Sequence, residues 1–187
     1  MRSPLNVVAV SGNLSRPSRT LALVEATLAA LGEHLPLHSR TVELRQIVQP
    51  LGSTIWRAQA PEELEQSLRL IESADLLLFA TPVFRGTYPG LLKHLFDLVD
   101  LNALIDTPVL LAATGGSERH ALVIDHQLRP LFGFFQALTL PIGIYASEAD
   151  FEDYRIASTT LQARIALAAE RAAGLLGTRP QALRRIA

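Results

Sequence analysis

The sequence predicts an α/β protein: a three-layer α/β/α sandwich around a five-stranded parallel sheet of order 2-1-3-4-5. Two observations carry that prediction. Short apolar runs recur along the chain, LNVVAV at Leu5 to Val10, DLLLFA at Asp75 to Ala80 and PVLLAA at Pro108 to Ala113, the pattern of strands buried on both faces. Each run ends in a hydroxyl-, proline- or glycine-containing loop that feeds a helical pattern, and parallel strands need such crossovers. The 187-residue chain fits one domain, for which about 100–200 residues is usual. Residues 1–177 are expected to form it, with 178–187 a loosely ordered basic tail.

Leu5 to Val10 is rich in β-branched residues and stops at Ser11-Gly12-Asn13, which predicts a central strand. Leu21, Val24, Leu28 and Leu31 recur at helical spacing before Gly32, predicting a helix from about Ser18 to Leu31. Leu37 to Leu44 alternates loosely, with Arg40 and Glu43 among apolar residues, and reads as an edge strand. Arg45 to Ala60 shows no clean period and reads as an irregular excursion carrying Trp56. Pro61 occupies a first helical position for Glu62 to Glu72. The strand at Asp75 to Ala80 is broken at Thr81-Pro82, after which Pro89 opens a helix carrying Leu91, Leu92, Leu95, Phe96 and Val99. The strand at Pro108 to Ala113 is interrupted by Thr114-Gly115-Gly116 and followed by a long amphipathic segment, about Glu118 to Gln136. Thr139 to Ala146 supplies a fifth strand, moved toward an edge by Pro141 and Gly143. Ile156 to Leu176 is an alanine-rich closing helix.

Composition narrows the function. At 49% hydrophobic, 19% charged and a net charge of −1, the chain lacks the basic excess that draws proteins to nucleic acid or an anionic membrane. It has no cysteine, so redox chemistry must come from a bound cofactor, and a cytoplasmic setting is expected. The first apolar run is too short for a signal peptide or a membrane span. His34, His38, His94 and His120 lack metal-ligand spacing, and no G-x-S-x-G elbow supports a serine nucleophile. No metal and no catalytic side chain are therefore expected.

In such sheets ligands bind beyond the carboxyl ends of the strands, where the strand order reverses. Three loops leave those ends. The first contains Ser11, Ser15, Ser18 and Thr20 with Arg16 and Arg19, and it feeds a helix N-terminus, where free amides and the dipole favour an anion. That is the chemistry of a phosphomonoester site; the plainer reading makes Ser18 a helix cap and the arginines solvated. The loop has neither the G-x-x-x-x-G-K-[ST] nor the G-x-G-x-x-G pattern of other nucleotide folds. The second loop brings Pro82, Val83, Phe84 and Arg85, and the third brings Thr114, Gly115 and Gly116, whose amides can approach a flat ring closely. Together they can sandwich an isoalloxazine, although each alone also reads as strand-end punctuation.

GNLSRPS, TPVFRGTYPGLLK and ATGG resemble the motifs of the NAD(P)H-dependent FMN reductase family, of flavodoxin-like fold, over about Val7 to Tyr145. Within it, the segment Gly115 to Pro130 is similar to that of the flavin reductases of two-component alkanesulfonate and methanesulfonate monooxygenase systems. The resemblance implies hydride transfer from NADH or NADPH to FMN, with the methanesulfonate branch pointing to NADH. It also implies a flavin-dependent monooxygenase as recipient of reduced FMN and a homodimer or homotetramer. The phosphate would lie on Ser11, Ser15, Arg16, Ser18, Arg19 and Thr20. The ring would lie against Pro82, Val83, Phe84, Arg85, Thr114, Gly115 and Gly116. Two other readings stay open: a quinone, azo or metal-ion reductase that retains FMN, and a flavodoxin-type electron carrier.

Related flavoproteins have one residue fewer between the glycine pair and the L-R-P that follows, and one extra residue inside a helix makes a π-bulge. The two-component reductases carry such an insertion, usually a tyrosine. Here the position falls on His126, which is expected at a subunit interface close to the flavin, tuning its release.

Overall fold

The computed structural model describes residues 4–178. The expected tail from 178 onward lies outside the described side chains. The strands β1 (Leu5–Ser11), β2 (Leu37–Glu43), β3 (Leu76–Pro82), β4 (Pro108–Gly115) and β5 (Leu138–Thr139) pair side by side in the order β2-β1-β3-β4-β5. All these pairings are parallel, as predicted. Six helices accompany the strands: α1 (Arg19–His34), α2 (Val48–Ser53), α3 (Glu62–Glu72), α4 (Gly90–Asp97), α5 (Arg129–Phe134) and α6 (Thr159–Thr178).

Side-chain alternation along the three central strands divides the core into two. Val8, Val10, Leu77, Phe79, Val109 and Leu111 point to one face and pack with residues of α2 to α5. Val7, Ala9, Leu76, Leu78, Leu110 and Ala112 point to the other, against α1 and α6. Both faces are therefore dry, and the apolar runs are continuous rather than alternating because both parities are buried. On the first face Phe79, Phe96 and Phe132 pack edge to face, with ring centroids 4.9–5.4 Å apart.

Three expectations change. The fifth strand is split: β5 stops at Thr139, and after Pro141 and Gly143 the chain resumes as β6 (Ile144–Ser147), which pairs with the far end of β4. Proline cannot extend the ladder, and a Cβ on Gly143 would lie 2.7 Å from Ile124 Cγ2, so close packing dictates the break. The excursion at Arg45 to Ala60 is not irregular, for it contains α2 and short 3₁₀ turns. Arg57 anchors it by hydrogen bonds to both carboxylates of Glu65 and Glu72 on α3, and those bonds hold Glu65 below the usual carboxylate range. The breaks placed at Thr81 and Thr114 lie too early, since β3 runs through Pro82 and β4 through Gly115.

The extra residue in the segment before α5 does what its spacing predicts. Ile124–Leu128 is a π-turn, with the Arg129 amide bonded to the Ile124 carbonyl. Phe132, just beyond it, is fully buried. Phe132→Ala is expected to lower unfolding free energy by about 3–5 kcal/mol, measured by urea denaturation; a loss under about 1 kcal/mol would contradict the packing described.

Candidate functional site

The carboxyl ends of β1, β3 and β4 lie side by side, so the three loops leaving them converge on one cleft of about 290 Å³. Ser15, Ser18, Arg19, Thr20, Pro82, Val83, Phe84, Thr114, Gly115 and Gly116 all line it. Sequence separation reaches about one hundred residues across this group, and only the parallel register unites them. The loops are tied together directly. Buried Thr20 and Thr114 share a hydrogen bond of 2.6 Å, the Val83 amide donates to Thr114 O at 2.7 Å, and the Gly12 amide donates to Ala80 O at 2.8 Å.

Ser18 is the N-cap of α1: its hydroxyl oxygen accepts from the Leu21 amide at 3.2 Å. That leaves its O–H proton free to donate, and the first-turn amides of Arg19 and Thr20 have no intrahelical acceptor. The capping role therefore leaves room for an anion at this helix end. Phe84 and Thr87 form a tight hairpin turn with Arg85 (φ 52°) and Gly86 (φ 91°) at its tip, which aims Phe84 at the cleft and Arg85 at solvent.

Three residues expected in the site do not line it. Ser11 is fully buried, and its hydroxyl donates to Asn13 Oδ1 at 2.6 Å; it shapes the loop from beneath. Arg16 is held by Glu43 through both carboxylate oxygens, because Glu43 at the end of β2 is buried and needs a cation. Arg85 is exposed at its hairpin tip. Conversely, Asn13, Leu14, Pro17 and Tyr154 line the cleft without having been singled out. Asn13 lay within a quoted motif, and its amide donates to Ser15 O at 3.0 Å. Tyr154 had no motif to mark it: it arrives on the turn between β7 (Phe151–Glu152) and β8 (Arg155–Ile156), with Asp153 and Tyr154 both left-handed at φ 47° and 62°.

His126 lies elsewhere. It is exposed on the π-turn and lines a separate groove of about 560 Å³ with Tyr88, Phe96, Leu131, Phe134 and Phe135. Its neighbour Gln127 accepts a hydrogen bond from Thr87 Oγ1 at 3.2 Å, which connects the π-turn to the Phe84 loop.

The donor set suits a ligand with a phosphate at one end and a flat ring at the other. Hydroxyls, helix amides and Arg19 gather at the α1 end. Pro82, Val83 and Phe84 supply apolar walls, and Gly115 and Gly116 line the cleft with backbone alone. Arg19 Nε is buried without a hydrogen-bond partner among the described residues, the state of a donor awaiting an acceptor.

The family model described as NADPH-dependent FMN reductase matches residues 5–152. The chain belongs to this family. An FMN reductase (NADPH) of Pseudomonas aeruginosa is 70% identical over 184 residues, covering 98% of this chain and 99% of the relative. An NADH-dependent FMN reductase SfnF of Pseudomonas fluorescens is 66% identical over 187 residues and the full length of both. Among solved structures, an oxidoreductase from Corynebacterium diphtheriae is similar at TM-score 0.81 and 33% identity, over 95% of this chain and 99% of that one. An NADH:FMN oxidoreductase in its apo form reaches TM-score 0.82 at 26% identity, over 94% and 92%.

In this FMN reductase family member the Gly115 loop is held from behind by Tyr145 on β6, whose hydroxyl donates to Ser117 O at 2.5 Å. Burial, reinforced by Glu118 and Asp150, pushes the phenol above its ordinary range, so it stays a donor. A Cβ on Gly115 would lie 2.2 Å from that hydroxyl oxygen but 3.2 Å from the ring carbon bearing it. Gly115→Ala is therefore expected to destabilise by about 1–3 kcal/mol, and by less in a Tyr145→Phe background. Urea unfolding of the four proteins checks this; equal costs in both backgrounds would contradict the contact.

Proposed function

We propose that residues 1–177 form an FMN-binding domain that reduces FMN with NADH or NADPH in the cytoplasm and releases the product to a flavin-dependent monooxygenase serving sulfonate-sulfur assimilation. The observation that carries this reading is the cleft itself, where a capped helix N-terminus with hydroxyls and Arg19 faces a glycine-amide loop across an apolar wall. The P. aeruginosa and P. fluorescens relatives, named as FMN reductases, support it, and the name SfnF supports the sulfonate setting.

Bound FMN supplies the hydride acceptor, so the protein needs no proton-transferring side chain at the reacting atoms. Ser18, Thr20 and the first-turn amides hold the phosphate, and Arg19 neutralises it. Pro82, Val83 and Phe84, the last 47% exposed, present an apolar surface that would orient the ring. The Gly115 and Gly116 backbone would lie along the ring, where amide donors would stabilise charge developing on its pyrimidine side. Exposed Leu101, Leu122, Phe134 and Leu138 support a homodimer or homotetramer, and no helix among the described residues is long and apolar enough to cross a membrane.

The purified protein is expected to be nearly colourless and to oxidise NADH or NADPH only when free FMN is added. A protein that stays yellow through desalting and reduces a quinone, azo dye or metal ion directly would instead be a reductase that retains its flavin. Ser18→Ala is expected to weaken FMN by about tenfold, the worth of one hydrogen bond to a charged group, while leaving riboflavin affinity unchanged in a fluorescence titration. Deleting His126 should convert the π-turn to regular helix, shift Gln127 away from Thr87 and change the FMN dissociation constant. An unaltered constant and unaltered steady-state rate would remove His126 from flavin release.

A further inference from the structure

Arg19 is the one cationic side chain among the described residues that line the cleft, since Arg16 is committed to Glu43. Arg19 is itself shared. Its Nη2 donates to Glu148 Oε1 at 2.5 Å, and its guanidinium carbon stands 5.1 Å from the centre of the Tyr154 ring. Nε, buried, has no partner among the described residues. Glu148 opens the 3₁₀ turn Glu148–Asp150 immediately after β6, and its side chain is 60% exposed. A carboxylate from the last part of the sheet therefore reaches back across the mouth of the cleft to the first turn of α1.

We propose that Glu148 is a built-in competitor for the ligand's phosphate, a specificity-determining residue that weakens the hold on FMN by occupying Arg19. The inference rests on the FMN reading above. An incoming phosphate dianion meets a guanidinium whose outer edge is already engaged by a carboxylate, so it must share Arg19 or displace Glu148. Either way it loses part of the attraction that an unpaired arginine at a helix N-terminus would give. Because Glu148 is exposed, its carboxylate can swing into water at little cost, which makes the competition reversible. Tyr154, stacked against the guanidinium, keeps Arg19 in place when the carboxylate leaves. Riboflavin, which has no phosphate, is indifferent to the exchange. The device fits a flavin that arrives and departs as a substrate.

The test compares FMN and riboflavin binding to the wild-type protein and Glu148→Gln, by quenching of flavin fluorescence at low ionic strength. Wild-type protein that binds FMN more tightly than riboflavin upholds the phosphate site. On that background, Glu148→Gln is expected to tighten FMN by about three- to tenfold, in the range of a partly exposed charge pair, with riboflavin unchanged. The gain should shrink as salt is raised. FMN affinity that is unchanged or weaker in Glu148→Gln overturns the proposal, the weaker case making Glu148 a positioning residue for Arg19. Equal tightening of both flavins also overturns it, because the effect would then not act through the phosphate. Wild-type protein that does not distinguish the two flavins would overturn the phosphate site itself, and the competitor with it.

Discussion

A parallel sheet buried on both faces leaves only its ends available for chemistry, and everything in the cleft depends on that constraint. The central strands put one parity of side chains against α2 to α5 and the other against α1 and α6, so their faces are closed to any ligand. Where β1, β3 and β4 end together, the chain leaves through three loops joined at their roots by the Gly12–Ala80 and Val83–Thr114 backbone bonds. The strand order places β3 beside β1 and β4 beside β3, and the three exits become neighbours. The Thr20–Thr114 hydrogen bond then fixes the first turn of α1 relative to the glycine loop.

Charge in the cleft is arranged with economy. Of the two loop arginines, one neutralises a buried carboxylate of β2 and the other faces the cleft already paired. The polar lining is thus mostly neutral, hydroxyls and helix amides with one guanidinium. The π-turn at Ile124–Leu128 lies outside the cleft but touches its Phe84 loop through Gln127 and Thr87. A groove lined by His126 and aromatic residues on one side of that link, and the Phe84 loop on the other, are therefore mechanically connected.

The fold was legible because each central strand announces itself as a continuous apolar run, and the helices other than α2 by apolar spacing or a proline start. The π-turn was legible too, because one extra residue must be accommodated in the helical hydrogen-bond ladder wherever the rest of the helix keeps its register. Ten of the expected cleft residues proved to be neighbours, since strand-end loops in this topology cannot avoid one another. The misplacements share a cause. Arg16 and Ser11 stand in the right loop, but whether a side chain faces the ligand or the protein depends on partners distant in sequence: Glu43 is 27 residues from Arg16. The Arg45 to Ala60 segment looked irregular because it sends only Ile47 and Leu51 fully into the core, too few to show a period, and Arg57 ties its far end to α3.

What the sequence determined by itself is the alternation of buried strands and covering helices, and with it the sheet edge at which the three loops gather. Those follow from local patterns: hydrophobic period, a serine cap, glycines after a strand. Only the tertiary structure decided the charge state and the walls of the cleft. Tyr154 enters on a left-handed turn without glycine, Tyr145 braces the Gly115 loop from a neighbouring strand, and Glu148 meets Arg19 across 129 residues of chain. No local pattern encodes such meetings, because they are set by where the sheet carries distant segments, and a side chain's partner is fixed only when the strands are in register.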